Sequence, residues 1–277
     1  MTLAPAERAA CGELALEEGA EFDLAYRFWP GPERDRLLAL EALFRSLRDV
    51  PLTVSDPAVG VAKISWWQQE LASVQENGSQ HPVVRAVTMT EALPAASMGS
   101  FQSYLMQLLL ALEDYSLSSV DMLREVLFQT AGEEAVIMTG CAPGDAAPGL
   151  RAAAAAARLL ELMRTLARRA TEHRWLPLDL MARHRLSRQD DSDAEARQAL
   201  VVSLAELAQQ WRQSEPLMPG SNASLRFLCL RDAVVARRLE LARRRPAQML
   251  AGGLHTRPGD VLRCWWRARA LQEAEAR

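Results

Sequence analysis

The stretch Arg34–Val74, RDRLLALEALFRSLRDVPLTVSDPAVGVAKISWWQQELASV, reads as helix, break, helix. Leu37, Leu40, Phe44 and Leu47 recur at helical spacing and make one apolar stripe. Pro51 ends that helix, because it lacks an N–H and its ring clashes one turn back. Asp56 followed by Pro57 starts the next, a capping carboxylate ahead of a residue already fixed at helical φ. The second helix turns Ile64, Trp67, Leu71 and Val74 inward, with Trp66 beside them.

Outward from this pair, nearly every segment carries the same period. A short amphipathic helix from about Pro5 to Gly19 precedes it, and Leu24–Trp29 lead in through Pro30-Gly31-Pro32. His81-Pro82 begins the next helical segment, and Met98–Tyr115 is apolar with helical spacing. Ser118 and Asp121 form a capping box that opens a helix to about Thr139. Arg151–Arg174 reads as one long helix whose Ala152–Ala157 run permits close helix crossing. Asp193–Glu215, Ser221–Arg245 and Pro258–Glu275 predict three more helices. No segment alternates with period two long enough for a strand, and the linkers are too short for two domains. The expectation is an all-α, single-domain fold over residues 1–277, with residues 1–20 a loosely attached N-terminal helix.

Composition narrows the function classes. The chain has 277 residues, 49% of them hydrophobic, with a formal charge of −3. That length buries a substantial core, and near-neutral charge gives no electrostatic reason for a nucleic-acid partner. Lys63 is the only lysine, so the other basic residues are arginines, a coding bias or a means of phosphate recognition. Cys11, Cys141, Cys229 and Cys264 are scattered without metal or disulfide spacing, which predicts free thiols in a reducing compartment. The acidic N-terminus has no apolar run of a signal peptide, and no stretch is long enough to span a bilayer. A cytoplasmic protein is expected. The Arg237-Arg238 and Arg243–Arg245 run reads as a solvated face or as a peripheral contact with anionic lipid at the inner face of a membrane.

The organising pair resembles the squalene/phytoene synthase family. Ala39, Leu40, Ala42, Leu43 and Arg45 sit on its "A-L-Y-A-F-C-R" helix, and Trp66, Trp67, Glu70 and Leu71 on the helix that follows. Arg174-Trp175-Leu176-Pro177-Leu178-Asp179 and Arg183–Ser187 match its "G-R-x-Y-L-P-x-D" block and sequel, and Thr130-Ala131-Gly132 matches more weakly. The resemblance covers about Tyr26 to the C-terminus and implies an isoprenoid-synthase-like helical bundle around a central cavity. Family members hold magnesium ions between two aspartate-rich motifs. Aligned on Arg45, the first motif reads Arg48, Asp49, Val50, Pro51, Leu52, with a single acid. The second falls in Leu162–His173, which carries Arg164, Arg168 and Arg169 and no aspartate.

That loss bears on chemistry. Ionising a prenyl diphosphate needs its charge neutralised, and Mg²⁺ takes one or two protein carboxylates per ion together with phosphate oxygens. Acids are therefore needed on both walls. Asp49 supplies one as a remnant ligand, unless it is merely a surface i, i+4 partner of Arg45, the preferred reading. Glu172 is the only acid on the other wall. Arg45, Arg48, Asp49, Arg164, Arg168 and Arg169 form either a degenerate diphosphate pocket that binds an anion without metal, or a solvated helix face. Phe44, Trp67, Tyr104 and Leu108 are expected to line the cavity. Glu133-Glu134 and Glu113-Asp114 read as exposed. His81, His173, His184 and His255 lack ligand spacing and a Ser or Cys partner, so no triad and no metal site are proposed.

One branch of the family has lost its aspartates and serves as assembly factors for mitochondrial respiratory complex I. Gly60, Lys63, Ile64, Trp66 and Trp67 are similar to its "G-x-x-[KR]-[IM]-x-[FW]-W" helix. The resemblance thus implies a non-catalytic protein without cofactor, with an isoprenoid or quinone-like lipid in an apolar tunnel and a protein partner in a membrane-associated complex. The alternatives are an active prenyl-diphosphate synthase using magnesium and relocated acids (Asp49 with Glu172 or Glu133), and a scaffold whose tunnel has collapsed.

Overall fold

Helix α3 (Arg34–Arg48) is buried around most of its circumference, from Leu37 through Phe44 to Leu47. A helix apolar on nearly all sides needs neighbours on all sides, and the rest of the chain supplies them. The computed structural model describes residues 2–31, 33–54, 56–73, 79–112, 117–166, 175–187, 193–220, 222–251 and 256–273. Before α3 come α1 (Pro5–Ala15) and α2 (Glu21–Arg27). After it run α4 (Val50–Thr53), α5 (Pro57–Ser73), α6 (Pro82–Met89), α7 (Met98–Leu110), α8 (Val120–Gln129), α9 (Ala131–Thr139) and α10 (Leu150–Leu166). The chain continues through α11 (Leu178–Arg183), α12 (Ala194–Ser214), α13 (Ala223–Arg244), α14 (Pro246–Leu250) and α15 (Pro258–Glu273). No strand occurs among the described residues.

Two apolar clusters share α13. Phe227, Leu230 and Val234 face the first, with α1, α2, α3, α6, α7 and α15; Val235, Leu239 and Ala242 face the second, with α8, α10, α11 and α12. Ala152, Ala155 and Ala156 are fully buried where α10 packs against α9 and α12, the close crossing their small side chains allow. Gly149 enters α10 at φ +76, a left-handed conformation, with the backbone of Glu215 and Pro216 pressed against its Cα.

Several boundaries depart from the sequence reading. Pro51 lies inside the first turn of α4, where its missing N–H costs nothing, and α3 has already stopped at Arg48. The Asp56 cap forms, its Oδ1 accepting from Ala58 N at 2.9 Å. The cap of α8 is Ser119, not Ser118: its Oγ accepts from Met122 N. The expected single helix to Thr139 is broken at Thr130, whose Oγ1 donates back to Val126 O at 2.8 Å, a bond that bends helices. Nor is the N-terminal helix loosely attached. Cys11 and Ala15 are fully buried against the first cluster, and Arg8 pairs with Asp35 of α3 at 2.7 Å. The expectations for Val74, Glu113, Asp114, Arg168, Arg169, Glu172, His173, Arg174 and His255 lie outside the described residues.

Candidate functional site: a buried carboxylate–guanidinium cluster

Four helices aim charge at one point. Glu41 and Arg48 are seven residues apart on α3, two turns, and therefore share a face. Arg158 and Glu161 do the same at i, i+3 on α10. Glu134 comes from the first turn of α9, placed by the break at Thr130, and Arg231 from α13. Arg36 holds α9 against α3 by donating to the carbonyls of Met138 at 2.8 Å and Ile137 at 3.0 Å, where that helix ends at Gly140.

Arg48 is the hub. It donates to Glu41 Oε1 at 2.7 Å and Glu134 Oε2 at 3.4 Å, and stands 3.6 Å from Glu161 Oε1. Arg158 closes the ring, donating to both oxygens of Glu134 at 2.9 and 3.0 Å and to Glu161 Oε2 at 2.8 Å. Arg231 lies 3.9 Å from the second oxygen of Glu41. Three carboxylates thus face three guanidiniums. Burial pushes the Glu41 carboxyl up, but Arg48 and Arg231 more than reverse that and hold it below the usual glutamate range. Glu161 is likewise driven far down against burial, by Arg48, Arg158 and Arg164. Arg48, although buried, is held charged by Glu161, Glu41 and Glu134. The cavity beside Glu134, Arg158, Glu161 and Arg231 measures about 30 Å³, room for little more than ordered water.

The arginines expected to bind an anion mostly have other work. Arg45 does not pair with Asp49; it donates to Glu17 at 2.6 Å, because its side chain points to the segment after α1. Arg164 stands 3.3 Å from Glu21, which also accepts from Arg238 at 2.7 Å. Among the described arginines of the set only Arg48 pairs directly with Glu41, Glu134 and Glu161, while Arg164 and Arg45 act on Glu161 through charge alone. Asp49 is half-buried at the end of α3, and burial raises its carboxyl above the ordinary aspartate value. Phe44 and Tyr104 are fully buried, edge to face at 5.4 Å, with Leu108 in the same core, and the Tyr104 hydroxyl lies beside Glu134; burial, together with that charge, raises it well above the usual tyrosine range. Trp67 packs against His81 at 4.8 Å, away from the cluster. His184 does have a serine partner, Ser203 Oγ at 2.9 Å, but no described carboxylate bonds its ring, so no triad is formed among the described residues.

Sequence reasoning missed Glu41, Glu134, Arg158, Glu161 and Arg231. Glu134 was expected in solvent and is buried; Glu133 is paired with Arg151 at 2.6 Å. A signal existed in Glu41, a charge set between Leu37 and Phe44 on an otherwise apolar stripe. Another existed in Arg158, Glu161 and Arg164, which repeat at i, i+3 along the inward face of α10.

The family model of squalene/phytoene synthase matches residues 17–260. The chain belongs to the squalene/phytoene synthase family. No curated protein sequence matches it significantly. Among solved structures it resembles a dehydrosqualene synthase in complex with ligand, at TM-score 0.70 and 15% identity over 97% of both chains. It also resembles squalene synthase HpnC from Alicyclobacillus acidocaldarius, at TM-score 0.57 and 14% identity over 87% of this chain and 95% of that one. At such identities the likeness establishes the all-α isoprenoid-synthase-like fold.

The magnesium that squalene/phytoene synthase resemblance implies does not fit the described residues. The three central carboxylates converge, but on guanidiniums: Glu134 and Glu161 each spend both oxygens on Arg48 and Arg158. A divalent cation at that point would have to displace Arg48. Among the described residues no group of three or more His, Cys, Asp or Glu side chains is arranged to hold a metal.

Proposed function

We propose that this squalene/phytoene synthase-family protein is non-catalytic and works through protein contacts, assisting assembly of a membrane-associated complex. One observation carries the reading: Arg48 fills the point where the acids of α3, α9 and α10 meet, and it stands in ion-pair range of all three, Glu41, Glu134 and Glu161. A diphosphate would find its counter-charges already paired. The small volume argues in the same direction. Pockets for drug-sized ligands run to roughly 300–1,000 Å³, against about 30 Å³ beside the cluster, so the proposal places no isoprenoid or quinone tail at that point.

The resemblance of the Gly60–Trp67 helix to complex I assembly factors supplies the cellular setting of the proposal, a respiratory complex. Incubating purified protein with farnesyl or geranylgeranyl diphosphate and Mg²⁺ tests the chemical half. The expected result is no hydrocarbon and no released pyrophosphate, and turnover would overturn it in favour of a synthase using Glu41, Glu134 and Glu161. Deleting the gene and assaying respiratory NADH oxidation tests the cellular half, with a fall in oxidation expected.

A further inference from the structure

A second opening, unrelated to the central cluster, runs between α13 and α15. It encloses about 290 Å³. Its floor is apolar, from Leu24, Leu230 and Val234, and its rim carries Arg237, Arg263 and Arg267. Asp260 is the one acid in its wall, 3.7 Å from Arg237. The Nε of Arg237 is buried without a hydrogen-bond partner. Arg263 and Arg267 have no carboxylate partner among the described residues, although the chain as a whole is acidic. Arg237 has Asp260 beside it, so the unmatched guanidiniums of the groove are the two exposed ones, Arg263 and Arg267.

The outer face of α15 adds a second feature. Cys264, Ala268 and Leu271 bury one side of that helix. Leu262 and Trp266, four residues apart, are 55% and 58% exposed on the opposite side. Trp265 packs edge-on against Trp266 at 4.8 Å and is itself exposed. Arg263 and Arg267 flank this apolar strip and turn into the groove. Tryptophan and leucine facing outward beside arginines is the composition of a helix lying in a membrane interface, rings among the headgroups and guanidiniums on phosphate. No helix among the described residues is long and apolar enough to cross a bilayer, so the contact would be peripheral.

We propose that the groove between α13 and α15 seats the acidic headgroup of a bilayer phospholipid, with Leu262 and Trp266 entering the interface above it. Charge complementarity selects this occupant. Arg263 and Arg267 offer paired N–H donors to phosphate oxygens, the apolar floor accepts the first methylenes of an acyl chain, and Trp266 accounts for an exposed face that a soluble anion would leave unused. The proposal is independent of whether the central cluster is catalytic.

Flotation of the full chain with vesicles tests it. Binding is expected to vesicles of phosphatidylcholine mixed with phosphatidylglycerol, not to phosphatidylcholine alone, and to weaken as salt is raised. Arg263→Gln with Arg267→Gln should weaken partition about thirty-fold, since each juxtamembrane arginine contributes roughly 1 kcal/mol. Lipids brominated on their acyl chains should quench tryptophan emission in the parent and much less in Trp265→Phe/Trp266→Phe, with circular dichroism showing each variant folded. Equal binding to neutral vesicles, undiminished binding by the double glutamine variant, or no flotation at low salt would each overturn the proposal. Full displacement by millimolar inorganic phosphate would do so too, by assigning the groove to a soluble anion.

Discussion

The guanidinium of Arg48 is gripped by the carboxylate of Glu41 two turns earlier on the same helix, at 2.7 Å, with 6% and 1% of the two residues exposed. An isolated pair this deep gains little, because desolvating both ions costs several kcal/mol. What offsets that cost is the rest of the ring. Glu134 and Glu161 turn one guanidinium into a joint between α3, α9 and α10, and Arg231 brings in α13.

Removing the hub alone should therefore be severe. Arg48→Leu leaves Glu41, Glu134 and Glu161 buried together with fewer counter-charges, and breaking such an arrangement costs ~3–5 kcal/mol. Urea unfolding should show the loss as a fall in midpoint. Glu41→Leu added to Arg48→Leu should cost much less than the two single losses together, because each partner's burial penalty disappears with it. Additive losses would mean that the two side chains are not coupled.

Acid should act through the same ring. Glu41 and Glu161 titrate below the ordinary glutamate value of 4.5 in the fold. A depressed carboxylate contributes stability that is fully present above its unfolded pKa and is lost as pH falls through the folded one. Stability should thus drop as pH falls below about 4.5, leaving Arg48 and Arg158 without their counter-charges. The variant Glu161→Gln should be less stable at neutral pH and show a flatter acid limb in thermal melts from pH 7 to pH 3. An acid limb as steep as the parent's would assign the loss to other groups.

Asp49 works in the opposite sense. Burial raises its carboxyl above the ordinary value of 3.8, Glu161 adds to the rise, and Arg48 and Arg45 only partly counter it. A raised acid costs stability wherever it is ionised, so Asp49→Asn should raise the melting temperature at pH 7 and leave it nearly unchanged near pH 3. A lower melting temperature at pH 7 would show that the carboxylate has a stabilising partner.

How legible the molecule was in its sequence differs between fold and site. The apolar periods of α3 and α13 are local signals, repeated over many turns, and they place those helices to within a few residues; that of α10 places its start, while its expected end at Arg174 lies outside the described residues. The Ser119 cap and the Thr130 break depend on which of several adjacent hydroxyls bonds which backbone group, a choice that tertiary packing settles. The ring was harder still. Glu134 lies beside Glu133, and only the angle at which α9 leaves α8 decides which of the two faces the core. The family motifs point to Asp49 and to Leu162–His173, whereas the acids of the ring sit outside those positions, at Glu41, Glu134 and Glu161.

Gly149 offers a test of the backbone instead of the side chains. Its φ of +76 disfavours any Cβ, and a Cβ there would stand 2.4 Å from Glu215 O and 2.5 Å from Pro216 C. Those atoms belong to the segment joining α12 to α13 and cannot rotate away as a side chain could. Gly149→Ala should cost at least ~1–3 kcal/mol from overpacking, with the left-handed penalty added. Gly144, where a Cβ would meet nothing, is the control: Gly144→Ala should fall within about 0.5 kcal/mol of the parent.

Added Mg²⁺ separates a ring of matched charge from a concealed metal site. Any ligand that binds only the folded state stabilises it by RT ln(1 + [L]/Kd), about 2.7 kcal/mol at a hundred times Kd. In the parent, Glu134 and Glu161 are saturated by Arg48 and Arg158, so millimolar Mg²⁺ should leave the melting temperature where it is. In Arg48→Asn the carboxylates of Glu41, Glu134 and Glu161 still converge, now short of one cation, and Mg²⁺ should restore part of the lost stability. Calcium, which accepts less regular oxygen geometry, should restore at least as much. If the parent itself gains stability with Mg²⁺, and gains more when farnesyl diphosphate is added, then Arg48 moves aside for substrate and the synthase reading prevails.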